Sequence, residues 1–247
     1  MKNYQNVVND RFDQEEDNDN SIYSKNHPIG KYSRKILFNV LHHFLLHYKK
    51  ENRALSGMKL MDVGCGSGGM IEYFISQGFS KNNVTGIDLS KTRILKAQNQ
   101  FPEVNFIVGD VITFSLDNNK YELITTFDLF SHLSTKEQIV NGLVNIRKHL
   151  ANDGILLWYD IYSKDHFTPI ENADSWGFSK SQMIDFSIEA GFKIINYTPL
   201  FKHFFNRYQS IYQAKRFSPA ILRLLEIVLP GIPGNHLVVL EKNNQIN

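Results

Sequence analysis

The chain has 247 residues, a formal net charge of +2, 42% hydrophobic and 21% charged residues. That is the profile of an ordinary globular protein, long enough for one large domain or two small ones. Its 27 Lys and Arg against 25 Asp and Glu are scattered along the chain, which excludes the basic field that a nucleic-acid backbone demands. A single cysteine, Cys65, excludes an intrachain disulfide and a cysteine-built zinc site, and it suits a reducing cytosol.

In chain order, residues 1–32 open with the polar, acidic DRFDQEEDNDN, which lacks the charge order of a secretory leader and reads as a flexible or lid segment. From Ser33, a plausible N-cap, Ile36, Leu37, Val40, Leu41, Phe44, Leu45 and Tyr48 recur at helical spacing. Short apolar runs then alternate with helical patterns. KLMDV reads as a strand, GMIEYFISQG as a helix closed by Gly78, NVTGID as a strand, and SKTRILKAQNQF as a helix stopped by Pro102. VNFIVGD and YELITTFD are the third and fourth strands. The helix STKEQIVNGLVNIRKHL opens on an expected capping box of Ser134 and Glu137. GILLWYD is a fifth strand, SKSQMIDFSIEAG a helix with a second box of Ser179 and Gln182, and FKIINYTPL and HLVVLEK complete seven strands.

This alternation predicts an α/β fold with a mostly parallel sheet covered on both faces. The domain is expected to span 33–247, with a helical insert at 200–230 between the last two strands. Phe217, Ile221, Leu224, Leu225 and Val228 make an apolar stripe there. It is read as packing onto the domain, with a homodimer face or a weak contact with membrane or lipid-linked substrate as alternatives. FSPAILRLLEIVLPGIPG is broken by Arg223, Glu226 and prolines and is too short to span a bilayer. A cytoplasmic monomer or homodimer is expected. His43 and His47 lie four apart on the first helix without a third ligand, so no metal site is expected.

The densest chemical signal is DVGCGSGG, residues 62–69. A glycine-rich turn between a strand and a helix brings backbone N–H groups to a ligand, and Gly64, Gly66 and Gly69 satisfy the G-x-G-x-x-G dinucleotide pattern. An acid follows at Asp88 to hold a ribose. Taken alone, the loop fits NAD and S-adenosylmethionine about equally. Three features favour the second. Asp62, inside the strand, suits a cationic amino group. Asp110, at the end of FIVGD, is placed to accept from an adenine amino group. The loop also begins behind a helical segment able to cover the ligand. No Tyr-x-x-x-Lys pair of short-chain dehydrogenase type occurs.

With LMDVGCGSG, VTGIDLS, FIVGDV and YELITTFDLFSHL in this order, the chain resembles the class I S-adenosylmethionine-dependent methyltransferases over residues 55–160. SIYSKNHPIGKY, LWYDIYS and LLEIVLPGIPGNHLVVLEK are similar to bacterial small-molecule methyltransferases. The resemblance implies a Rossmann-like fold whose seven-stranded sheet has an antiparallel last strand. It implies S-adenosylmethionine as cofactor, met by Asp62, Gly64, Cys65, Gly66, Gly68, Asp88, Leu89, Asp110, Val111 and Phe127. It also implies a lid bearing Arg11 and Tyr23, and a small-molecule acceptor from polysaccharide or secondary metabolism. Cys65 is read as a small loop residue, not a nucleophile. A hydroxyl acceptor needs a general base. His132 and Asp160, just after the fourth and fifth strands, are the candidates, with Tyr162 beside the acceptor. Oxygen is favoured over nitrogen. An NAD-dependent oxidoreductase and a non-catalytic cofactor-binding module are the alternatives.

Overall fold

A computed structural model describes residues 28–50, 54–116, 120–163, 176–202, 219–228 and 233–244. Seven strands form one sheet: β1 (Leu60–Val63), β2 (Val84–Asp88), β3 (Asn105–Val108), β4 (Tyr121–Phe127), β5 (Leu150–Ile161), β6 (Phe192–Lys202) and β7 (Pro233–Lys242). Their order across the sheet is β3-β2-β1-β4-β5-β7-β6. The pairs β1–β2, β1–β4, β2–β3 and β4–β5 run parallel, and the last strands pair antiparallel. The helices are α1 (Pro28–Lys50), α2 (Gly69–Gln77), α3 (Lys91–Gln100), α4 (Lys136–His149), α5 (Lys180–Glu189) and α6 (Pro219–Val228). The expected α/β architecture is the one observed.

The chain divides into two compact units, one of residues 48–198 with 236–247, the other of 1–47 with 199–235. In the first, all four residues of β1 and all five of β2 are buried, as central strands of a sheet covered on both faces must be. The order reverses at β1, whose neighbours β2 and β4 carry the chain to opposite sides. Ligands of open α/β sheets bind at the strands' carboxyl ends beside such a switch point. Trp158 on β5 is fully buried, with Phe130 5.0 Å and Phe178 5.6 Å away, both edge-on.

In the second unit α1 buries Leu37, Leu41 and Leu45 at successive turns, the expected stripe. The helix begins at Pro28 rather than at a Ser33 N-cap, because proline's fixed φ suits the first helical position, where an N–H is dispensable. α6 opens the same way at Pro219. Tyr32 donates to Glu226 Oε2 at 2.6 Å, and burial raises its phenol well above the usual range. Ile221, Leu224, Ile227 and Val228 of α6 are exposed.

The turn after β1 shows which glycines the fold needs. Gly64, Gly66 and Gly68 have φ of 78°, 53° and 91°, a left-handed backbone that side chains resist. A Cβ on Gly68 would also stand 3.0 Å from the Phe101 ring, whereas one on Gly69 would meet nothing within 4 Å.

The two capping boxes fare differently. Ser179 and Gln182 close theirs as expected. At α4 the cap falls one residue later: Thr135 is extended and its side chain accepts from Gln138 N–H, while Gln138 Oε1 accepts from Ser134 N–H at 2.8 Å. Leu133, extended after the short 3-10 turn Phe130–His132, delays helix entry by one position.

Two stability comparisons check these assignments by denaturant melts. Thr135→Ala should cost about 1 kcal/mol and Ser134→Ala much less; the reverse ranking would restore the earlier cap. Gly68→Ala should destabilise by roughly 1–3 kcal/mol, while Gly69→Ala, in open space at a helix start, should be neutral or stabilising.

Candidate functional site

The loop after β1 spends its donors internally. Gly64 and Cys65 N–H both donate to Ile87 O, at 2.7 and 3.0 Å, and Gly68 N–H donates to Cys65 O at 3.0 Å. Gly66 N–H donates to Asp88 Oδ2 at 2.8 Å. The expectation of free N–H groups facing a ligand is therefore corrected at these four positions: their donors stitch the loop to the end of β2. A pyrophosphate cradle needs such donors turned outward. The dinucleotide fingerprint also wants its third glycine for close helix packing, and Gly69 has no neighbour to make room for.

Asp62 is 2% exposed, inside β1, opposite Thr125 of β4. Thr125 Oγ1 donates to Asp62 Oδ1 at 2.7 Å. Burial raises the Asp62 carboxyl from 3.8 to about 7, against the Thr125 hydrogen bond and helped by the Asp88 charge. A buried carboxyl of this kind is stabilised as an anion by a positive charge brought against it.

Asp88 ends β2, buried, and its Oδ1 accepts from Ser90 N–H at 2.9 Å. It therefore braces the glycine loop as well as standing at the site, a role the sequence reading did not give it. Leu89 beside it is 38% exposed, an apolar surface at the strand ends. Asp110 is half-buried and its Oδ1 accepts from Ile112 N–H at 2.8 Å, a turn-closing bond. Phe127 is half-buried, with Phe74 and Tyr159 rings at 6.3 and 5.8 Å. Val111 proves to be a packing residue: it is buried with its methyls against Gly142 of α4. Cys65 is buried with its Sγ toward Gly86. Burial, then the charges of Asp62 and Asp88, push its thiol well above its ordinary range, so the absence of a nucleophilic role follows.

Asp160 requires the largest change of view. It is fully buried. Its Oδ2 accepts from Phe130 N–H, Ser131 N–H and Trp158 Nε1, at 3.1, 3.2 and 3.1 Å, and its Oδ1 from Ile161 N–H at 3.1 Å. These donors make it the anchor of the turn Phe130–His132 rather than a group open to an acceptor. His132 is half-buried at the end of that turn, so Asp160 positions His132. Tyr162 is bridged to Phe178, and its ring lies 5.6 Å from His236, edge-on. His236 Nδ1 is 3.1 Å from Tyr197 Oη, and burial lowers its imidazole to about 4. Arg11 and Tyr23 lie outside the described residues.

Sequence reasoning missed Thr125, whose place opposite Asp62 depends on register, and Asp128, which follows β4 with φ 51°. An acid directly after an apolar strand, tolerant of left-handed backbone, was the available signal for Asp128.

The comparisons with known proteins agree with this geometry. A family model described as a methyltransferase domain matches residues 60–154. Ubiquinone biosynthesis O-methyltransferase of Coxiella burnetii is 26% identical over 127 residues, 49% of this chain and 51% of that protein. dTDP-3-amino-3,4,6-trideoxy-alpha-D-glucopyranose N,N-dimethyltransferase of Streptomyces venezuelae is 23% identical over 125 residues, 51% of this chain and 49% of that protein. The chain thus spans about half the length of these curated relatives. Among solved structures, magnesium protoporphyrin IX methyltransferase from Synechocystis PCC 6803, with bound S-adenosylmethionine, shares the fold: TM-score 0.65, 13% identity, 98% of each chain covered. Residues 60–154 are thus similar to a methyltransferase domain, and the chain has the fold of a solved S-adenosylmethionine-dependent methyltransferase.

Proposed function

We propose that the chain transfers a methyl group from S-adenosylmethionine to a small-molecule acceptor in the cytoplasm, at oxygen in preference to nitrogen. A sugar or secondary-metabolite acceptor is favoured. The observation that carries the reading is the Asp62 carboxyl, buried in the sheet beside a glycine loop whose donors are turned inward. An NAD-dependent oxidoreductase would need the opposite arrangement, donors outward and no carboxyl beside them. Among the described residues no helix is long and apolar enough to cross a membrane.

The residues present fit the cofactor by their donor and acceptor chemistry. Asp62 would hold the cationic amino group, and Asp88 would accept from the ribose hydroxyls with lone pairs left over from Gly66 and Ser90. Leu89 offers the adenine an apolar face, and Asp110 accepts from its amino group. Bound S-adenosylmethionine would supply a methyl group activated by its sulfonium for direct displacement. The chain's own contribution is alignment, worth up to roughly 7–11 kcal/mol, together with exclusion of water. His132, held in place through Asp160 and the turn, stands at the carboxyl edge, where a hydroxyl acceptor needs a base within reach and an amine does not. A non-catalytic cofactor-binding module shares the binding residues and differs in giving no label transfer from methyl-labelled cofactor to any acceptor.

Calorimetric titration tests the binding half of the proposal. S-adenosylhomocysteine should bind and NAD should not. Below the raised Asp62 pKa of about 7, binding of the ammonium must displace a proton. Affinity should then be full above that pH and fall by roughly tenfold per unit beneath it. Asp62→Asn should flatten this dependence and cost about 1.5–3 kcal/mol. Linkage in the unliganded protein has the opposite sign. A carboxyl raised from 3.8 adds stability as pH falls through 7, because the folded state takes up the proton first. NAD binding without a response to S-adenosylhomocysteine would refute the proposal.

A further inference from the structure

The carboxyl edge holds one acidic residue that the reading above leaves without a task. Asp128 is the one non-glycine residue, among those described, with a left-handed φ, at 51°. Such a backbone costs about 1–3 kcal/mol and persists only where its surroundings hold it. Asp128 N–H donates to Tyr159 O at 3.0 Å. The next side chain, Leu129, packs on the glycine loop, its Cδ1 3.0 Å from where a Gly64 Cβ would stand. Since β4 lies between β1 and β5, this turn sets Asp128 between the loop after β1 and Asp160 near the end of β5.

Asp160 is fully buried and Asp128 half-buried, and two carboxyls that feel each other's charge resist ionising together. The four N–H donors on Asp160 favour its anion. Burial first, and the Asp160 charge second, push the Asp128 carboxyl well above the usual range. Burial raises Asp160 as well, to about 6, but its hydrogen bonds oppose that shift, so protonation of the pair is favoured on Asp128. The other titratable groups on the surrounding elements are Asp62 and Cys65 at the end of β1, Tyr159 and Tyr162 around the end of β5, and His132 in the adjoining turn.

We propose that Asp128 takes the proton of a hydroxyl acceptor, and that it is freed for this task only when a cationic methyl donor binds at the glycine loop beside it. The inference rests on the reading of the loop as an S-adenosylmethionine site. A positive charge brought to this edge favours ionised Asp128, so its proton leaves to solvent on binding. During transfer the acceptor oxygen forms a bond to the methyl carbon while the sulfur–methyl bond breaks, its electron pair staying on sulfur. The hydroxyl proton passes to the Asp128 carboxylate. His132, in the same turn, then orients the acceptor rather than deprotonating it.

The test needs no acceptor. Titration calorimetry in two buffers of different protonation enthalpy, at neutral pH, counts the protons exchanged on binding S-adenosylmethionine and S-adenosylhomocysteine. Both carry the amino group that meets Asp62, so the contribution of Asp62 cancels in the difference, and only the first carries the sulfonium. The first should release up to about one proton more than the second. Asp128→Asn, which tolerates the left-handed backbone, should abolish that difference and leave S-adenosylhomocysteine affinity unchanged. Asp128→Gly should abolish it too while raising the melting temperature, since it relieves the strained backbone. Equal release in the wild-type chain, or a difference that survives in both variants, overturns the inference alone. Failure of either nucleotide to bind overturns it together with the reading beneath it.

Discussion

A carboxyl placed inside a parallel sheet is the constraint on which the site depends. Asp62 lies on a strand buried on both faces, and a charge there is costly unless it is paired. One hydrogen bond from Thr125, at 2.7 Å, satisfies only part of it, which leaves the group poised near neutrality. Its neighbours follow from that placement. The loop after β1 folds its donors onto Ile87 and Asp88, so they are not turned outward as a phosphate cradle needs.

The same economy appears at the other carboxylates. Asp88 and Asp160 each do structural work, the first by tying Gly66 and Ser90 together, the second by gathering four donors from β5 and the turn after β4. The turn is thereby tied to β5, its Phe130 ring edge-on to the buried Trp158, with Asp128 just before it and His132 at its end. Preorganised groups of this kind stabilise charge without reorganising at the moment of reaction. The acids around the glycine loop are held differently: four N–H donors meet Asp160, Thr125 meets Asp62, and a left-handed backbone carries Asp128.

Much of the architecture was legible because strand and helix periods alternate cleanly and glycines mark their joints. All seven strands and the glycine loop were readable from KLMDVGCGSGG onward. What failed did so for local reasons. Ser33 and Ser134 were read as caps because polar residues preceding apolar stripes usually are. Pro28 supplied a better helix start, and the 3-10 turn after β4 moved the second cap to Thr135. Asp160 looked like a site residue because it follows a strand, yet two of its four donors come from residues 30 and 29 positions away, and pairing across that distance leaves no mark in a sequence. Asp128 was overlooked for the converse reason: its significance lies in a backbone angle.

The central claim is that Asp62 and a cationic amino group recognise each other. A double-mutant cycle measures this directly, by comparing the affinities of S-adenosylhomocysteine and its analogue lacking the amino group for the wild-type chain and for Asp62→Asn. The account predicts that the wild-type chain discriminates between the two while the variant does not, with a coupling of about 1.5–3 kcal/mol. Equal losses of affinity for both nucleotides on substitution would contradict it, because Asp62 would then be supporting the sheet and not reading the ligand.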